Sequence, residues 1–153
     1  MKRERITNKR FKKTILIMIV ATTLLVSVVV LLDMTIMTKS EAFKYVVSNQ
    51  EELLAFVSAA SSNNDQPQRY KMFRVSSWNN ATMVQFETQS IGLGSGSTYK
   101  GFYYINNDKP VGFQGTSVAF LERDPGWYWT DDTDNWMYVE RILPNWYWFE
   151  AHF

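Results

Sequence analysis

Residues 14–32 read TILIMIVATTLLVSVVVLL, nineteen positions without a charge, a proline or a glycine. As an α-helix rising about 1.5 Å per residue, such a run is about 28 Å long, close to the hydrocarbon thickness of a bilayer. A helix buried in a globular core keeps a polar face over several turns, and this one has none. The run predicts an N-terminal transmembrane helix over 14–32.

The flanks give that helix a direction. The tail 1–13 carries Lys2, Arg3, Arg5, Lys9, Arg10, Lys12 and Lys13 against Glu4 alone, while the far side opens with Asp33 and has no cation before Lys39. The positive-inside rule then keeps the tail in the cytoplasm and sends residues 33–153 across, giving a single-pass cell-membrane protein with an extracytoplasmic domain. A cleaved signal peptide is the competing reading. Against it, the apolar run exceeds the usual 7–15 residues and the nearest small-x-small site, Ser40-Glu41-Ala42, lies well downstream. An uncleaved signal-anchor is the expectation, with the bilayer as the first partner.

From Lys39 onward, 9 basic residues face 13 acidic ones. That balance is the wrong sign for nucleic acid, which needs a clustered cationic surface. With no cysteine in the chain, disulfides, thiolate metal sites and cysteine nucleophiles are excluded together, so the outer domain must be held by its core alone.

Residues 33–62 form a juxtamembrane helical segment. Thr38 and Glu41 have capping-box spacing, as do Ser48 and Glu51, so 38–62 is either two short helices or one bent one. Apolar positions Phe43, Val46, Val47, Leu53, Leu54, Phe56, Val57 and Ala60 recur at helical intervals. Residues 63–68 are a polar linker. From 69 to 153 the period changes to that of strands, expected near 69–76, 82–88, 98–105, 111–114, 117–123, 127–130, 136–142 and 146–152. GLGSGS (92–97) is expected as a flexible link and NNDKP (106–110) as a turn. Asp124-Pro125-Gly126 suits a turn with Pro second and Gly third, and Leu143-Pro144-Asn145 resembles it. The expected fold class is α+β: a membrane helix, a short helical segment and a mainly antiparallel β-meander, as a partly open sheet or a barrel.

Sixteen of the 24 aromatic residues lie between Tyr99 and Phe153, which concentrates any stacking surface in the last strands. Alternation along a strand puts Trp127 with Trp129, Trp136 with Tyr138, and Trp146 with Trp148 on shared faces. These six are the candidate ligand-binding residues, for rings left exposed stack on sugars, Pro-rich peptides or a partner protein. Burial of the same rings as core is the alternative. Within TDDTDN (130–135), Asp131, Asp132 and Asp134 have a spacing that suits calcium, but the glycine and closing glutamate of the twelve-residue calcium loop are missing, and a solvated hairpin tip is the commoner explanation. No other cofactor is indicated. Glu122, Glu140 and Glu150 are the acids a glycosidase-like hydrolase would use, yet their spacing does not show convergence, and His152 has no triad partner. Enzymatic function is not expected.

The stretches YKGFYY (99–104), NDKPVGFQG (107–115), GWYW (126–129), Asp134-Asn135 with ERI (140–142), and NWYWFEAHF (145–153) together resemble a family of small uncharacterised bacterial proteins, often membrane-anchored. The resemblance covers roughly the last 55 residues. It implies a bacterial envelope setting and a C-terminal strand integral to the fold, and carries no activity. The functional expectation is a membrane-anchored extracytoplasmic binding module. Its alternatives are a structural or accessory subunit of an envelope complex and, behind that, a small hydrolase. Envelope proteins and cell-wall components are the partners to consider; the oligomeric state is not legible.

Overall fold

The computed structural model describes residues 14–24, 37–60, 68–80, 82–93 and 96–153. The chain divides into two compact units, Met1–Ile36 and Met37–Phe153. In the first, residues 14–24 form helix α1. Thr22 and Thr23 turn their hydroxyls back onto the carbonyls of Met18 and Ile19 (2.8 and 2.6 Å), so their polar atoms are met within the helix. Among the described residues no helix is long and apolar enough to cross a membrane. Residues 25–32 of the apolar run, the tail 1–13 and the stretch 33–36 lie outside the described residues, so the expected span rests on sequence.

The second unit begins with two helices. α2 (Lys39–Ser48) starts on the expected capping box: the Glu41 N–H donates to Thr38 Oγ1 and the Thr38 N–H donates to Glu41 Oε2. It ends at Asn49, whose N–H and side-chain amide both donate to the Tyr45 carbonyl. α3 (Gln50–Ala60) follows at once. There are thus two helices, and the break falls one residue past the Ser48 signal. They bury Ala42 and Val46, then Leu53, Val57 and Ala60, one apolar stripe per helix.

Eight strands follow: β1 (Gln68–Tyr70), β2 (Phe73–Trp78), β3 (Met83–Leu93), β4 (Gly96–Ile105), β5 (Leu121–Arg123), β6 (Gly126–Thr130), β7 (Trp136–Leu143) and β8 (Trp146–His152). They form one antiparallel sheet in the order β1-β2-β3-β4-β8-β7-β6-β5. Two four-strand meanders meet where β4 pairs with β8, and β1 and β5 are open edges. The sheet alternative holds and the barrel does not.

Several boundaries differ from expectation. The strand expected over 69–76 is broken by a hairpin turn at Lys71-Met72, where Lys71 takes φ 53° without any glycine, asparagine or proline to announce it. Most of the expected flexible link 92–97 is paired, with Gly92 opposite Ser97 and Leu93 opposite Gly96; a Cβ on Gly92 would meet the Ser97 Cα at 2.6 Å, so this close approach needs glycine. No strand forms over 111–114, and of 117–123 only the last three residues pair. The Arg123↔Gly126 pair puts Asp124 and Pro125 at the two central turn positions, with a cis bond between them, so Pro is third and not second. Pro144-Asn145 behaves as expected, with Asn145 at φ 70° in the position that favours asparagine or glycine.

The connection 106–120 explains the missing strands. β4 lies mid-sheet and β5 at the far edge, so the chain must cross the sheet to reach it. It crosses one face, seating Phe113 of the 3-10 turn Phe113–Gly115 among Met83, Tyr103, Met137, Val139 and Phe149. Asp108 fixes the start of that crossing. It pairs with Arg141, accepts from the Asn145 N–H at 2.7 Å, and its carbonyl accepts from the Tyr147 hydroxyl at 2.8 Å. On the other face α2 and α3 cover Phe73, Val75, Val84, Phe86, Phe102, Trp146 and Trp148. Two buried clusters, one on each face, hold the domain without disulfides.

Candidate functional site

Strand register defines a surface that neither layer covers. The helices lie over one end of their face, α2 against β4, β7 and β8. Beyond them, cross-strand pairing aligns two rows of side chains on the same face. One row runs Ile91, Thr98, His152, Trp136 and Thr130; the next runs Lys100, Glu150, Tyr138, Tyr128 and Leu121.

The rings in these rows are ordered against one another. Trp136 lies between Tyr128 (centroids 6.4 Å apart, planes 19°) and His152 (6.3 Å, 16°). The Arg123 guanidinium sits 5.4 Å from the Tyr128 ring centre and extends the stack. At its other end, Thr98 Oγ1 lies 3.0 Å from His152 Nδ1. All three stacked rings are half-buried, so each keeps part of its surface in solvent.

Polar contacts fix the second row. The Tyr138 hydroxyl donates to Glu140 Oε2 at 2.5 Å, and Lys39 Nζ reaches the same oxygen at 2.8 Å while lying 5.7 Å from the Tyr138 ring centre. Burial, and then the hydrogen bond to the Glu140 carboxylate, push the Tyr138 hydroxyl above its ordinary pKa, which keeps it a donor. Lys100 pairs with Glu150 at 3.2 Å. Ile91 and Leu121, at 57% and 70% exposure, are open apolar side chains at the two ends of the surface.

The six aromatic candidates divide into three pairs. Trp136 and Tyr138 belong to this surface. Trp146 and Trp148 lie fully buried beneath the helices, with indole N–H groups that meet no acceptor among the described residues, and are core. Trp127 and Trp129 lie half-buried on the opposite face, the first edge-on to Tyr147 and the second beside Phe153. Sequence reasoning missed Tyr128, His152 and Arg123. Alternation already set Tyr128 opposite Trp127 and Trp129, but only the register shows that it joins Trp136.

The acidic loop is occupied with its own turn. Asp131 Oδ1 accepts from the Thr133 N–H and hydroxyl (2.8 and 2.6 Å), and Oδ2 accepts from the Asn135 amide at 2.8 Å. The side-chain bonds from Thr133 and Asn135, with that backbone bond, hold its pKa below the ordinary value. Asp132 and Asp134 are exposed, and no group of three His, Cys, Asp or Glu among the described residues is placed to hold a metal. Of the three candidate acids, Glu140 and Glu150 share the ring-bearing face, each paired with a lysine. Glu122 is opposite Trp127 and faces the other way.

Comparison with protein-family models, curated proteins and solved structures gave no match.

Proposed function

We propose that this chain is a membrane-tethered binding module. Its N-terminal apolar run is the tether, and its working surface is the uncovered face bearing Tyr128, Trp136, Tyr138 and His152. The carrying observation is the ordered, half-exposed stack Arg123–Tyr128–Trp136–His152, on the part of its sheet face that lies beyond the helices. Amphipathic rings that are partly exposed and already packed against neighbours lose little entropy on binding, and for that reason they recur at interfaces.

The tether rests on the nineteen uncharged residues 14–32 and on the seven cations before them, which place the tail in the cytoplasm and the second unit outside. The envelope setting implied by the resemblance of the last strands agrees with this. Catalysis is not part of the reading, because Glu140 and Glu150 are each engaged by a lysine.

A thermal-shift screen tests the module. The full chain in mild detergent is melted with cell-wall sugars, peptides and short-chain phospholipids, since a ligand of the folded state raises Tm by mass action. One class should raise Tm in the wild type and lose that effect in Trp136→Ala. A shift that survives Trp136→Ala and Tyr128→Ala puts the ligand elsewhere.

A further inference from the structure

We infer that the sheet accepts one further strand, an extended and uncharged polypeptide segment from a partner, along the open edge of β3 at residues 89–93. This edge binds through backbone groups, so it is distinct in its chemistry from the ring stack, and it needs no tether.

β3 outruns the neighbour that pairs with it. β2 has six residues and β3 eleven, and their pairing ends at Arg74↔Glu87. A register shift between Glu87 and Gln89 follows, a bulge of the kind that terminates pairing. Beyond it β3 still pairs with β4, through Gln89↔Lys100, Ser90↔Tyr99, Ile91↔Thr98, Gly92↔Ser97 and Leu93↔Gly96. Among the described residues, no strand pairs with its other side there.

One exchange of bonds sets the direction of the backbone along this stretch. Ser97 and Phe153 each donate an N–H to the other's carbonyl, at 2.6 and 3.0 Å, so Ser97 turns both its backbone groups away from β3. Direction alternates along a strand, so Thr98 and Lys100 turn theirs toward β3, where Ile91 and Gln89 meet them. Ser90 and Gly92 are left pointing the other way, with their N–H and C=O groups at the open edge. Both residues are small and exposed, so their own side chains do not screen those groups.

Two features choose the occupant. An N–H and a C=O on every second residue is the pattern of a strand without its partner, and a second extended backbone repeats donor and acceptor at the same spacing. Charge is the other feature. β1 carries Arg69 and β5 carries Glu122 and Arg123, and charges of this kind keep further strands off an edge, whereas residues 89–93 (QSIGL) carry none. Ile91, 57% exposed, lies between the two outward residues, so an apolar side chain set opposite it on the incoming strand buries both.

Amide hydrogen exchange read by NMR, on the full chain in mild detergent, tests the edge. The probe is an end-blocked peptide, Thr-Val-Thr-Ile-Thr-Val-Thr, at millimolar concentration. In the free chain Ser90 and Gly92 should exchange far faster than Ile91, whose N–H is turned to β4. The peptide should slow Ser90 and Gly92 by about tenfold or more. Ser90→Pro removes one outward N–H and leaves the β3–β4 bonds whole, so Ile91 should stay slow while the protection of Gly92 is lost. Ile91→Lys, at an exposed site, should weaken the protection as well. Exchange at Ser90 and Gly92 as slow as at Ile91 in the free chain, or as fast with the peptide as without it, overturns the proposal. Equal protection of Gly92 in wild type and Ser90→Pro overturns it too.

Discussion

Trp136 and His152 are a directly opposed cross-strand pair whose rings lie 6.3 Å apart and 16° from parallel. Trp148, on the same face of β8 as His152, is wholly buried. Surface and core therefore meet along one strand, and substitutions should separate them. Trp148→Ala removes a filled core position and should cost about 3–5 kcal/mol. Trp136→Ala loses a stacked, half-exposed ring and should cost about 1–2 kcal/mol. Denaturant melts of the full chain followed by circular dichroism measure both.

Asp108 holds the crossing segment to the β7–β8 turn through Arg141 and the Asn145 N–H. Asp108→Ala leaves that N–H without its acceptor and should destabilise by about 1–3 kcal/mol. Asn145 also donates from its side chain to the Ile105 carbonyl at 2.7 Å, and it holds φ 70°. Asn145→Gly should therefore cost less than Asn145→Ala, because glycine keeps the backbone conformation at no steric cost. The same melts rank the three variants.

The strands were legible wherever alternation was long and turn chemistry marked the ends: 146–152 matches β8 residue for residue, and Asn145 sits where its φ requires. The Lys71 turn was hidden because its residue types do not announce a positive φ. Residues 111–114 and 117–120 of the crossing looked like strand because Val111, Phe113 and Phe120 are apolar, yet they are apolar to cover a sheet face. For the site, alternation correctly paired Trp136 with Tyr138. Bringing Tyr128 and His152 beside them needs the β6–β7 and β7–β8 registers, which depend on contacts distant in sequence.

Glu87, on β3, is half-buried beside Gln85, and burial raises its pKa above the ordinary 4.5 despite the opposing pull of Arg74. Between the ordinary and the folded value, the folded chain holds a proton that the unfolded chain has released. Stability falls as pH rises through that window and stays reduced above it. Glu87→Gln should raise Tm at pH 7, and the gain should fade as pH drops below 4.5. Melting both proteins across a pH series checks the sign.

Asp131 titrates in the opposite sense. Its folded pKa lies below the ordinary 3.8, so its contribution is full above that value and is lost as pH falls through the folded one. Asp131→Ala should lower Tm at neutral pH, and the deficit should shrink in acid below 3.8. A deficit that does not change with pH would show that the carboxylate charge has no part in closing the β6–β7 turn.

The claim that the Tyr128–Trp136–His152 face is the working surface is tested most directly by hydroxyl-radical footprinting in the membranes of the cells that make the chain. Trp127, Trp129 and Trp136 are all half-buried in the free fold, the first two on the opposite face. In the membrane Trp136 should be oxidised far more slowly than Trp127 and Trp129, because its face is occupied. Equal oxidation of all three would contradict the account.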